Sequence, residues 1–157
     1  MLALNVSSDV LKGFDLVDEK LTHATENSAR VNEEVYKRFE QQYSANPAKV
    51  KVWYDKAQVV RGMTDSLYTL LDDLKLSIVK KSDGEEADVN NIRRKDDLEA
   101  ATQVMLAPVV GRGEELHEGI VSYRERVVAM LDDDAQRELV ESNLNTDVPM
   151  NAKLMGK

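Results

Sequence analysis

Two histidines, His23 and His117, are the side chains here whose ordinary titration falls near neutrality. His117 follows Glu114 by three positions. On a bundle helix that spacing presents two ligands to a di-iron centre, which needs a second such pair and two more inward-facing glutamates. Lys20, not a glutamate, stands three residues before His23, and Glu114 lies off the apolar pattern of its segment. No metal set is assembled. The string GRGEEL, Gly111–Leu116, has the glycines of a phosphate loop. No strand precedes it and no Lys-Ser/Thr follows, so it reads as a kink between helices. Cysteine is absent, which removes thiolate chemistry and disulfides and leaves the compartment open. No strand-turn-helix elbow presents a serine nucleophile. The carboxylates fall on the polar faces of helices, where water solvates them. No catalytic residue, cofactor or metal ligand is assigned.

The elements that would position any site are two long helices. From Val50 to Ile78 apolar or small residues fall at Val50, Trp53, Ala57, Val60, Thr64, Leu67, Leu71, Leu74 and Ile78, in alternating steps of three and four. That is a heptad seam, the 3.5-residue repeat that keeps one stripe on a partner helix over a rod of roughly 40 Å. An earlier seam runs Val10, Phe14, Val17, Leu21, Ala24, Ser28, Val31, Val35, Phe39, with Asp15, Glu19, Glu26, Glu33 and Glu40 opposite. Between the two, Asn46-Pro47 supplies a cap and a first helical residue. The expectation is an antiparallel hairpin whose seams face each other. Trp53 is expected as a core anchor near Val35 or Phe39, and Ile78 near Val10 or Phe14. Gly13 is either a close-packing point or a weak point costing about 1 kcal/mol.

The first helix is expected to start at Ser7 or Ser8 and end near Ala45; the second runs to about Lys81, with Gly84 as terminator. Residues 82–95 read as a loop. Asp96 or Asp97 caps a short helix over Leu98–Ala107, which Pro108 breaks. A longer helix follows from about Gly113 to Leu131, with Leu116, Ile120, Tyr123, Val127 and Met130 on its seam. Asp132–Asp134 cap a final helix to about Asn143, and residues 145–157 form a frayed tail. The fold class is all-α: an elongated bundle built on a long antiparallel helix hairpin plus a second, kinked helix pair, in one domain over 1–157.

At 157 residues the chain is long enough for one core, and 3 prolines and 7 glycines leave little turn chemistry for a sheet. A net charge of −8 opposes nucleic-acid binding, which needs a basic face. No run reaches the roughly 18 apolar residues of a membrane span. Met1-Leu-Ala-Leu-Asn5 begins abruptly apolar without the pattern of a signal peptide.

Leu2–Leu21 (LALNVSSDVLKGFDLVDEKL) resembles the junction of membrane helix and periplasmic domain in the GldM/PorM family of type IX secretion and gliding-motility proteins. Asn46–Val79 and Val104–Val127 are similar to the same family, in the same order. The resemblance implies the first periplasmic, all-helical domain of a non-enzymatic protein anchored in the inner membrane. It implies a homodimer, a GldL/PorL-like inner-membrane partner, and contacts with periplasmic ring proteins of the secretion system. Its work would be to transmit force or to scaffold between the inner-membrane motor and the outer-membrane-associated ring. Residues 1–6 would be the remnant of the membrane helix, and the family's last first-domain helix would be missing. Partner contacts would gather at Leu2, Leu4, Asn5, Val6, Val10 and Phe14. The alternative is a periplasmic four-helix sensor domain that binds a small ligand in an apolar pocket; a di-iron enzyme stands third.

Overall fold

A computed structural model describes residues 7–109 and 111–147. It contains helices α1 (Ser8–Ala45), α2 (Pro47–Asp83), α3 (Ala100–Leu106), α4 (Gly113–Met130) and α5 (Asp134–Asn143), with no strand among the described residues. The fold is all-α, and a long hairpin dominates it. At ~1.5 Å per residue the 38 residues of α1 and the 37 of α2 each extend about 55 Å. The expected membrane-helix remnant at residues 1–6, and residues 148–157 of the expected tail, lie outside the described residues.

Local chemistry sets the helix ends. The Ser7 hydroxyl accepts the Val10 N–H, and the Asn46 side chain accepts the Lys49 N–H ahead of Pro47. Each satisfies an amide that the first helical turn leaves without a partner. Lys80 and Lys81 lie in the last turn of α2, where cations suit the carbonyl end. The chain then leaves through Gly84 at φ 97°, a left-handed geometry that glycine adopts without strain. The Asp133 carboxylate accepts the Gln136 N–H at the start of α5.

Three contacts fix the hairpin's register. Tyr43 stacks on Tyr54 with ring centroids 4.4 Å apart. Glu33 meets Arg61 at 3.0 Å, and Arg61 also lies over the Tyr36 ring. At the far end Phe14 and Ile78 line one cleft, so Ile78 lies at the Phe14 end of the hairpin as expected. The helices therefore run antiparallel from the Asn46 turn. α4 runs antiparallel along α2 in turn, with Tyr123 hydrogen-bonded to Thr64 at 3.0 Å and the Lys56 ammonium on the Met130 carbonyl at 2.7 Å. The helices approach closely at Gly119, where a Cβ would sit 3.1 Å from a Leu70 methyl.

α2 is the central element, meeting α1, α3 and α4. Met63, Leu74 and Val79 of α2 are buried together with Ala100 of α3. Most of the predicted α2 seam is buried or half-buried, from Val50 through Ala57, Val60, Thr64, Leu67 and Leu71 to Leu74 and Ile78. Trp53 departs from it. The indole is 56% exposed and carries the Lys56 ammonium on its face, 5.0 Å from the ring centre. It stands beside the hairpin turn as a stem for a cation–π contact and not as a core anchor.

The α1 seam departs further. Val10, Phe14, Val17, Leu21, Val31 and Val35 are all exposed, Leu21 at 62%, and only Phe39, near the hairpin turn, is half-buried. The seams do not face each other. α1 turns Leu11, Glu33, Tyr36 and Tyr43 toward the rest of the chain, while Asp15 reaches Lys95. Val10 and Val35 each precede one of these residues by one position, about 100° around the axis. The cause lies on α2, whose apolar side chains Leu67 and Leu70 pack at Gly119 of α4. Its line toward α1 offers Tyr54 and Arg61, which suit the tyrosines and carboxylates of the other α1 face. Glu33, read as solvated, is thus an ion-pair partner.

Candidate partner-binding cleft

The connection between α2 and α3 is held by its own polar groups. The Asp83 carboxylate accepts the backbone N–H groups of Arg93 at 2.6 Å and Arg94 at 2.9 Å. Arg94 donates to the Ser82 carbonyl at 3.0 Å, and the Ser82 hydroxyl donates back to the Arg94 carbonyl at 3.2 Å. The Arg93 amide above all, with the Arg94 amide, holds the Asp83 carboxyl below the ordinary range. The Asp97 carboxylate accepts the Ala100 and Glu99 amides at 3.0 Å each, and the Ala100 bond leads in lowering its pKa. Asp97 thus braces the turn ahead of α3, which starts at Ala100 behind Glu99 and not at Leu98 as expected, without a side-chain cap at the Glu99 position. Residues 84–99 form a braced loop; Ser82 and Asp83, expected in the loop, complete α2.

This loop closes one end of a wedge between α1 and α2. The result is a cleft of about 790 Å³, within the size range of binding pockets. α1 contributes Leu11, Phe14, Asp18, Glu19, Thr22 and His23. α2 contributes Lys75, Ile78 and Val79, and the loop adds Val89, Asn90, Asn91 and Ile92. The floor is apolar and the rim is polar. Lys95 at the loop's end reaches Asp15 of α1 at 2.7 Å and ties the two walls together.

Of the residues expected to meet a partner, Phe14 lines this cleft and stands 66% exposed. Val10 is exposed one turn earlier and lies outside the lining. Leu2, Leu4, Asn5 and Val6 lie outside the described residues. Leu11, Val89 and Ile92 were not singled out from the sequence. The signal for the last two was present: apolar residues three apart in an otherwise polar stretch.

The other chemistry-bearing residues are placed elsewhere. Glu114 and His117 are exposed on α4. His23 lies between Glu19 at 3.8 Å and Glu26 at 3.5 Å. Among the described residues no group of three or more acidic, histidine or cysteine side chains could hold a metal ion. The glycines of GRGEEL serve a corner. A Cβ at Gly111 would meet the Ala107 carbonyl oxygen at 2.6 Å, and one at Gly113 the Met105 carbonyl oxygen at 2.7 Å. Arg112 between them contacts Asp73 and Glu115, each at 2.7 Å, and Ser77 at 3.3 Å. Those bonds, Glu115 first, raise the guanidinium pKa, while Arg112 lowers that of Glu115. The string pins the start of α4 to α2.

No described helix is long and apolar enough to cross a membrane. A search of curated proteins finds no match to the chain. The family model for the GldM N-terminal domain, by contrast, matches residues 9–157, nearly the whole length. The GldM family comprises structural and motor components of type IX secretion and gliding motility, membrane-anchored with periplasmic domains. The match over nearly the whole length shows the family: the chain belongs to the GldM family as its N-terminal domain.

Proposed function

We propose that this domain is a non-enzymatic, periplasmic part of the secretion and gliding machine. It transmits force, or holds position, between an inner-membrane motor and a ring associated with the outer membrane. The observation that carries the reading is the pair of uninterrupted helices of 38 and 37 residues, antiparallel and braced at both ends. A load applied at the α1 N-terminus travels along continuous backbone hydrogen bonds, and the Asn46 turn passes it to α2. Tyr43–Tyr54 and Glu33–Arg61 couple the helices near the turn, and Asp15–Lys95 couples α1 to the loop that follows α2 near the base. The same reading includes anchoring in the inner membrane by a helix upstream of Leu2, a GldL/PorL-like partner there, and pairing of two copies.

The test is to interrupt the rod without removing the domain. A proline at Leu67 breaks the mid-α2 hydrogen-bond ladder, at a cost of about 3 kcal/mol or more in a helix interior. In cells expressing the full-length protein, secretion of type IX cargo and gliding should both fail while the protein still reaches the membrane. Normal secretion with a broken α2 would sink the proposal. The 790 Å³ cleft favours a second reading, a sensor that holds a small ligand. That reading requires a metabolite that raises the melting temperature and loses its effect when Ile78 is replaced by aspartate.

A further inference from the structure

We propose that the cleft at the base of the hairpin binds an extended segment of a partner protein, one carrying a large apolar side chain beside a lysine or arginine. The inference rests on the reading above, in which this domain works by contact with protein partners. Three features of the cleft specify the occupant.

The first is the floor. Leu11, Ile78 and Ile92 line it half-buried, and Phe14 and Val89 line it exposed. An inserted apolar side chain removes that surface from water.

The second is charge. The cations of the lining are already matched: Lys95 by Asp15 at 2.7 Å, Arg94 by Asp97 at 3.0 Å, Lys75 by Asp72 at 3.3 Å. Asp18 has no ion-pair partner among the described residues, and Glu19 meets only His23, at 3.8 Å. The charge left over is negative, so the complementary ligand is cationic.

The third is backbone recognition. Asn90 and Asn91 are among the residues lining the cleft, and their side-chain amides make no hydrogen bond among the described residues. Each offers a donor and an acceptor, the pair needed to bind a peptide group of an extended chain. The cleft follows α1 from Leu11 to His23, about 18 Å by helix rise. That is the length of five or six residues in extended form at ~3.3 Å each.

The probe is the hexapeptide acetyl-Leu-Lys-Phe-Lys-Leu-Ala-amide, added to the isotope-labelled 157-residue chain. Amide signals of residues 89–92 and of α1 between Leu11 and His23 should shift saturably. The peptide with both lysines replaced by glutamate should not shift them. The double variant Asp18→Lys, Glu19→Lys changes two exposed helix positions, so its circular dichroism should stay native. It should weaken binding at least about tenfold. Equal binding of the glutamate peptide, undiminished binding by the double variant, or shifts confined to the outward face of α1 would each overturn the proposal. So would binding of a second copy of the chain at this cleft in place of the peptide. The secretion assay with a broken α2 bears on the mechanical role alone, so the two readings fail separately.

Discussion

α1 and α2 are nearly equal in length and carry equally regular apolar spacing, yet their seams have opposite fates. On α2 the seam is covered from Ala57 to Ile78, and Leu74 is only 3% exposed. On α1 the seam points to water, and the carboxylates expected to be solvated supply the bridges to Arg61 and Lys95. The difference teaches that a heptad stripe specifies a helical partner without specifying which one. α2 meets three helices, whereas among the described residues α1 meets no helix other than α2. α4 lies on the apolar Leu67–Leu70 side of α2, and α1 meets α2 through Tyr43, Tyr36 and Glu33 on its other side.

The sharpest way to break this comparison is to delete the same side chain on each helix. Leu74→Ala should cost about 2–5 kcal/mol in urea unfolding, because it opens a cavity in the best-buried part of α2. If it cost no more than a surface change, α2 would not be the central element. The interface that displaced α1 comes next. Gly119→Val places branched carbon where even a Cβ would stand 3.1 Å from Leu70, and should lower stability by about 1–3 kcal/mol. An unchanged thermal midpoint would mean that α4 does not approach α2 closely.

Acid should test the braced base of the cleft. Asp83 and Asp97 both have folded-state pKa values lowered by the hydrogen bonds they accept. Their stabilisation is therefore in place above the ordinary carboxylate pKa of about 4 and is lost as pH falls through the lower folded values. Asp83→Asn should flatten that acid limb of the stability curve, with amide exchange at Arg93 and Arg94 increasing. A limb as steep as in the parent would show that Asp83 does not hold the loop.

The two smallest effects concern α1. A Cβ at Gly13 meets nothing within 4 Å, so Gly13→Ala should stabilise by about 0.5–1 kcal/mol through helix propensity. Destabilisation would mean that a neighbour packs there. Leu21→Ala, on the exposed stripe, should stay within about 0.5 kcal/mol. A loss comparable to that of Leu74→Ala would show the stripe to be covered in solution.

Much of this was legible in the residues because it depends on chemistry within a few positions. Ser7, Asn46-Pro47, Gly84 and Asp133 end or begin helices through bonds that span three or four residues. The kink at Pro108 and the antiparallel course of the hairpin follow from equally local rules. The cleft was legible only in part. Phe14 and Ile78 could be placed at the same end by register, but Asn90, Asn91 and Ile92 reach it through a loop with no periodicity. What positions that loop is a set of bonds from Asp83 to residues ten and eleven positions away.

Sequence by itself determined that this chain is helical, how long its helices are, where they stop, and that they fold back on one another. Capping, proline and glycine geometry and the heptad period act locally, and local terms are additive enough to read in order. Only the tertiary structure decided which face of α1 meets α2, and that Glu33 and Asp15 are bridges. It also decided that a cleft opens beneath Phe14. Those outcomes depend on competition among α1, α3 and α4 for one apolar surface on α2, and no helix's own spacing records which competitor prevails.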